Sequence, residues 1–226
     1  MKFKIFGERN TGTRALKALL ERNLGAYCLP GTEKELAPER FDEIHKDEPA
    51  MDELFSTVPA AHAWKHCATI FDECSSLDGC QIIFTVRHPL SWLTGFFDRP
   101  YHHLAPIPET IAEFASQPWQ TVKRENLGER SFKPLELYRE KLLSYLSAPF
   151  GGMFVRFEDI VLNPAIVLQS FGATTAVPLP QSTKPNDFRT LSEMQTYYRE
   201  ERWRERVRGV VEEPDWELFS RFGYAP

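Results

Sequence analysis

Gly7 and Gly12 sit in Gly7-Glu-Arg-Asn-Thr-Gly-Thr-Arg14, between an apolar run that begins at residue 2 and an amphipathic run from Thr13. Glycines at that spacing, between a strand and a helix, let free backbone N–H groups at the helix start surround an anion, and the helix dipole favours the negative charge. The spacing is that of a Walker phosphate loop, but Thr13 and Arg14 stand where Lys and Ser/Thr should follow the second glycine. A phosphate is therefore expected here; a γ-phosphate with Mg2+ is not. Two further cations carry chemistry: Lys65 beside His66 in Trp64-Lys-His-Cys67, and Arg87 in Val86-Arg-His-Pro89. A guanidinium grips phosphate through paired N–H groups, an ammonium neutralises charge as a point, and an imidazole accepts a proton near neutral pH. The combination suits an anionic nucleotide with phosphates at two separated positions.

Such groups must be gathered by a scaffold. Beyond the opening strand, apolar or alternating runs predict strands at Ala61 to Lys65, Gln81 to Val86 and Met153 to Phe157. Helical patterns lie at Thr13 to Arg22, Ile107 to Ala115, Leu135 to Leu146, Ile160 to Phe171 and Leu191 to Val207, with a short one around Trp216 to Phe222. This order predicts an α/β fold with a mostly parallel central sheet flanked by helices, and its ligands at the carboxyl ends of the strands. One domain over residues 1–226 is expected, with a helical C-terminal part from about residue 190. Residues 33–53 carry nine acidic against three basic residues and read as a solvated, partly helical excursion. Pro178, Pro180 and Pro185 mark a loop.

The net charge of −5 argues against a general surface for nucleic acid or anionic membrane. No apolar stretch is long enough to span a bilayer, and no charged region with an apolar run precedes the first strand, so a cytoplasmic protein without stable membrane insertion is expected. Cys28, Cys67, Cys74 and Cys80 form no CxxC pair, which fits reduced thiols. His62 and His66 have HxxxH spacing but lack the Glu of the zinc hydrolase motif, so no metal is expected.

Taken together, these segments resemble the sulfotransferases that use 3'-phosphoadenosine 5'-phosphosulfate, PAPS. GERNTGTRAL (Gly7 to Leu16) is similar to the loop that wraps the 5'-phosphosulfate, and TVRHPLSWLTGFF (Thr85 to Phe97) to the strand and helix that bind the 3'-phosphate. WKH (Trp64 to His66) resembles the strand end that supplies catalytic residues, and VRFEDIVLNP (Val155 to Pro164) a structural motif after a later strand. DWELFSRFGY (Asp215 to Tyr224) resembles the terminal helix of bacterial members acting on carbohydrates. The resemblance implies a P-loop-like sulfotransferase architecture and transfer of a sulfuryl group from PAPS to a hydroxyl of a carbohydrate or small molecule. It assigns the donor to Gly7, Arg9, Asn10, Thr11, Gly12, Thr13, Arg14, Arg87 and Gly95. Two positions depart from the family pattern: Asn10 replaces a Lys or Arg, and Gly95 replaces the Ser eight residues after the 3'-phosphate Arg.

For catalysis, Lys65 and Arg9 are the candidate cations and His66 the candidate base, with Glu8 or the His102-His103 pair as substitutes. Strand alternation would send Lys65 and His66 to opposite faces unless the backbone turns there. Arg99, Tyr101, His102 and His103 are the candidates for acceptor contact, mixing stacking with hydrogen bonding. Glu158 and Asp159 read as a helix cap, and the run Arg199 to Arg208, interleaved with glutamates, as a solvated helix face. A catalytically degenerate nucleotide-binding interaction protein and a small-molecule phosphotransferase remain the alternative readings.

Overall fold

Apolar runs that would be covered on both faces form the sheet in the computed structural model, which describes residues 1–101, 106–173, 191–209 and 213–226. The strands are β1 (Lys2–Gly7), β2 (Tyr27–Cys28), β3 (Gln81–Val86), the hairpin strands β4 (Trp119–Gln120) and β5 (Ser131–Phe132), and β6 (Met153–Arg156). The central sheet has the order β2-β1-β3-β6, and every neighbouring pair is parallel. Gly7 pairs with Thr85, and Val86 with Arg156, so the ends of β1, β3 and β6 lie side by side.

The helices are α1 (Thr13–Leu24), then α2 (Glu33–Leu36), α3 (Phe41–Ile44) and α4 (Glu48–Ser56) in the acidic excursion, then α5 (Pro89–Asp98), α6 (Ile111–Ser116) and α7 (Pro134–Leu146). After β6 come α8 (Phe157–Leu162), α9 (Pro164–Ser170), α10 (Leu191–Arg199), α11 (Trp203–Val207) and α12 (Trp216–Ser220). Strand alternation divides the core. Phe3, Ile5, Ile83 and Val155 pack with Leu16, Leu19 and Leu20 of α1 and Val167 and Leu168 of α9. Phe6, Phe84 and Val86 face Trp92 of α5 and Leu137, Tyr138 and Tyr145 of α7. Each such fully buried Leu or Phe contributes about 1.5–3 kcal/mol. Among the described residues, no helix is long and apolar enough to cross a membrane.

Four sequence expectations change. Ala61 to Lys65 is no strand: Ala60–His62 form a 3-10 turn, and Lys65 bonds Gly31 O and Gly7 N once each instead of forming a ladder. Its apolar residues are buried because the segment spans the gap between Gly7 and Gly31. Ile160 to Phe171 is two helices, since Pro164 cannot donate an N–H and begins α9. Leu191 to Val207 breaks around Glu201, which adopts φ 49°. Ile107 to Ala115 begins only at Ile111, where the Thr110 hydroxyl accepts from Glu113 N. The proline-rich loop at 177–185 lies outside the described residues.

Candidate functional site

β1 neighbours β2 on one side and β3 on the other, so connections leave the β1/β3 boundary in opposite directions. That is the place where open parallel sheets bind ligands. The loop after β1 lies across it. A Cβ at Gly7 would come within 1.9 Å of Thr85 Oγ1, and one at Gly12 within 2.6 Å of the Phe157 ring, so glycine lets the backbone sit against β3 and α8. Thr11 Oγ1 lies 2.7 Å from Thr85 Oγ1 and donates to Glu8 O at 2.5 Å, closing the loop on itself and tying it to β3. Gly12, at φ 88°, is the N-cap of α1 and brings no side chain to its first turn. The leading amides of α1 therefore keep the anion-binding character of an uncapped helix start.

Arg87 follows β3 directly and is 5% exposed. Nε donates to Ser91 Oγ at 2.9 Å, Nη1 to Asn10 O at 2.9 Å and Nη2 to Tyr198 OH at 2.6 Å. The Phe157 ring lies 4.7 Å from its guanidinium carbon. Gly95 makes room on α5, since a Cβ there would meet Nη1 at 2.7 Å. All of these partners are neutral, and among the described residues no carboxylate pairs with Arg87.

Lys65 and His66 are the central residues of a turn closed by Cys67 N donating to Trp64 O at 3.0 Å, so strand alternation does not separate them. Gly7 N donates to Lys65 O at 2.9 Å, which seats the turn on the end of β1. Burial, then Arg14, pushes the Lys65 ammonium down to about 7. His66 Nδ1 lies 2.6 Å from Gly7 O. A carbonyl only accepts, so Nδ1 carries the proton and Nε2 the lone pair. Burial first, then Lys65 and Arg9, holds His66 well below its ordinary range, so it is neutral at pH 7.

Arg9 lies elsewhere than in an open cleft. It is 0% exposed, and its Nη1 contacts Glu8 Oε1 at 2.9 Å and Glu125 Oε1 at 2.7 Å. Burial would lower its pKa; Glu125 and Glu8 outweigh that and raise it. Lys141 Nζ contacts Glu8, lies 3.0 Å from Glu125 Oε1 and donates to His66 O at 2.7 Å. The buried cluster thus holds two cations and two anions. Glu8, also fully buried, faces only Arg9 and Lys141 among these charges.

Arg99 caps the end of α5 and is half-buried, whereas Tyr101 is 46% exposed with its ring 5.7 Å from the Arg9 guanidinium carbon. His102 and His103 lie outside the described residues. Glu158 and Asp159 occupy the first turn of α8 but make no N-cap bond. Instead, Glu158 accepts from His88 N at 3.1 Å and Tyr224 OH at 2.7 Å, and Asp159 pairs with Arg156. Sequence reasoning did not find Tyr198, Glu125 or Lys141. Only tertiary packing joins them to the site, from 111, 116 and 75 positions away from their partners Arg87, Arg9 and His66.

The chain matches no family model and no curated protein. Among solved structures it is similar to the crystal structure of a sulfotransferase from Alicyclobacillus acidocaldarius, at 16% identity over 96% of this chain and 98% of that one, with a TM-score of 0.43. A likeness of that size leaves the functional reading to the site itself.

Proposed function

We propose that the chain transfers the sulfuryl group of PAPS to a hydroxyl of a carbohydrate or other small molecule, releasing adenosine 3',5'-bisphosphate. One observation carries the reading: an uncapped helix start follows β1, with buried Arg87 at the end of β3 and half-buried Lys65 in the turn bonded to Gly7, and neither cation pairs with a carboxylate among the described residues. A buried charge without a counter-charge is costly in a protein interior, and a bound anion removes that cost. Arg87 faces one phosphate, the 3'-phosphate of the donor. The α1 amides and Lys65 face the 5'-phosphosulfate.

In this reading the acceptor oxygen forms a bond to sulfur as the bridging S–O bond of the donor breaks. His66 Nε2 takes the hydroxyl proton, and the electron pair leaves with the 5'-phosphate oxygen, whose charge the α1 amides and Lys65 stabilise. Glu8 is a poorer base because it is fully buried against Arg9 and Lys141. Arg9 supports the turn and does not serve as the free cation. No Mg2+ is required, since the donor lacks the β,γ-phosphate bridge that Mg2+ clamps. Arg99 and Tyr101, with His102 and His103, are the proposed acceptor contacts, and the proposed setting is cytoplasmic.

The test is incubation with radiolabelled PAPS and a panel of sugars, phenols and other hydroxyl compounds. Label in an acceptor, with one adenosine 3',5'-bisphosphate formed per label, supports the reading. Binding of the bisphosphate without transfer to any acceptor would favour a degenerate binder. Mg2+-dependent, saturable ATP hydrolysis would favour a phosphotransferase.

A further inference from the structure

Asn10 stands between the two anion positions and touches the machinery of both. Its backbone is left-handed, φ 63°, two residues before α1 begins at Gly12 and Thr13. Its carbonyl accepts from Arg87 Nη1 at 2.9 Å, and its side-chain amide donates to Gly95 O of α5 at 3.0 Å. One residue earlier, Trp92 Nε1 of α5 donates to Arg9 O at 2.8 Å. The loop is therefore bound to α5 at consecutive residues, and α5 also carries Ser91, which holds Arg87 Nε. Asparagine is among the few side-chain-bearing residues that enter the left-handed region readily, because its short polar side chain bonds locally. A left-handed Asn10 aims its carbonyl at Arg87 while leaving the α1 start open.

We infer that Asn10 is a specificity-determining positioning residue: it couples the orientation of Arg87 to the conformation of the loop at α1, so the site selects ligands carrying two separated phosphates over ligands carrying one. The inference rests on the nucleotide reading above and adds the device that sets its selectivity. It also accounts for both departures from the family pattern together. Asn10 and Gly95 bond each other, and the missing Cβ at Gly95 is the space the guanidinium fills. Two residues that depart singly are one arrangement. Coupling of this kind is reciprocal, so an anion held at either position favours the other.

Two measurements test it. In isotope-labelled, ligand-free protein, Asn10→Val shifts the Arg87 Nε–H resonance and Arg87→Gln shifts the Thr13 and Arg14 amides. Asn10→Gly keeps the left-handed backbone and returns the Arg87 resonance toward its wild-type position. In calorimetry, the preference for adenosine 3',5'-bisphosphate over adenosine 5'-monophosphate falls about tenfold in Asn10→Val, the size of one charged hydrogen bond. It recovers in Asn10→Gly, and Asn10→Val added to Arg87→Gln costs nothing further. Gly95→Ala displaces the same guanidinium from the other side and serves where Asn10→Val does not fold. A folded Asn10→Val with the wild-type preference, or additive losses with Arg87→Gln, overturns the coupling. If wild-type protein binds neither nucleotide, the functional reading fails, and the resonances of the free protein still decide whether the coupling exists.

Discussion

Two groups of cations near the end of β1 differ in what surrounds them. Around Trp64, Arg9 and Lys141 are matched by Glu8 and Glu125, and the two cations lie 4.8 and 5.7 Å from the indole ring. Arg87 has hydroxyl, carbonyl and aromatic neighbours, and neither it nor half-buried Lys65 has a paired carboxylate among the described residues. The first region is complete as folded and supports the turn. The second lacks that pairing, the feature on which the proposed anion site rests. Charge type alone does not separate the two groups; what separates them is the presence or absence of paired carboxylates.

The largest effect expected from breaking this contrast is on stability. Lys141→Met leaves Glu8 and Glu125 short of a cation and is expected to cost about 3–5 kcal/mol in chemical denaturation, as removal of one partner of a buried pair does. Arg87→Met removes an unmatched charge together with its bonds to Ser91, Asn10 and Tyr198, and is expected to cost less than Lys141→Met while abolishing binding of the bisphosphate. Equal losses in the two variants would dissolve the distinction. Next is turnover: His66→Ala is expected to lose roughly 100-fold or more in kcat with donor affinity nearly intact. Near-normal turnover in that variant would remove His66 from the chemistry.

A smaller effect sharpens the comparison through pH. Burial holds Lys4 and Lys65 down to about 7 in the folded protein, against an ordinary value of 10.5. The unfolded chain therefore binds more protons above pH 7, and stability rises with pH across that window. Buried Cys28 and Cys67, pushed up to about 12 from 9.0, oppose the rise once unfolded thiols ionise. The urea midpoint is expected to increase between about pH 7 and 8.5, and less in Lys65→Met than in wild type. A flat profile in wild type would contradict the open-cation description of Lys65. Smallest is the exposed pair of Arg206 and Asp98, where Arg206→Ala is expected to change stability by less than about 1 kcal/mol.

Much of the scaffold was legible because its signals are local. The apolar runs of β3 and β6, the Gly7 and Gly12 turn, and the spacing of Leu16, Leu19 and Leu20 each declare themselves within a few residues. β2 was not visible, since two residues carry no period and its pairing comes from β1. Ala61 to Lys65 misled for the opposite reason: it is apolar and buried, yet it crosses between loops, held by Lys4 Nζ on Ala63 O. Lys65, His66 and Arg87 stand out in the sequence by type and position. Their supports do not, because Lys141 and Tyr198 look like ordinary members of amphipathic helices until the helices pack. The same holds for Arg9, whose sequence neighbours gave no sign of Glu125.

The proposed site, Arg87 and Lys65 beside the start of α1, takes a nucleotide with two separated phosphates. Calorimetric titration of wild-type protein and Arg87→Met with adenosine 3',5'-bisphosphate tests it most directly. The account predicts saturable binding to wild type well below millimolar ligand, and its loss in Arg87→Met with folding retained. No binding to wild type at millimolar ligand, or equal binding by the two proteins, would contradict it.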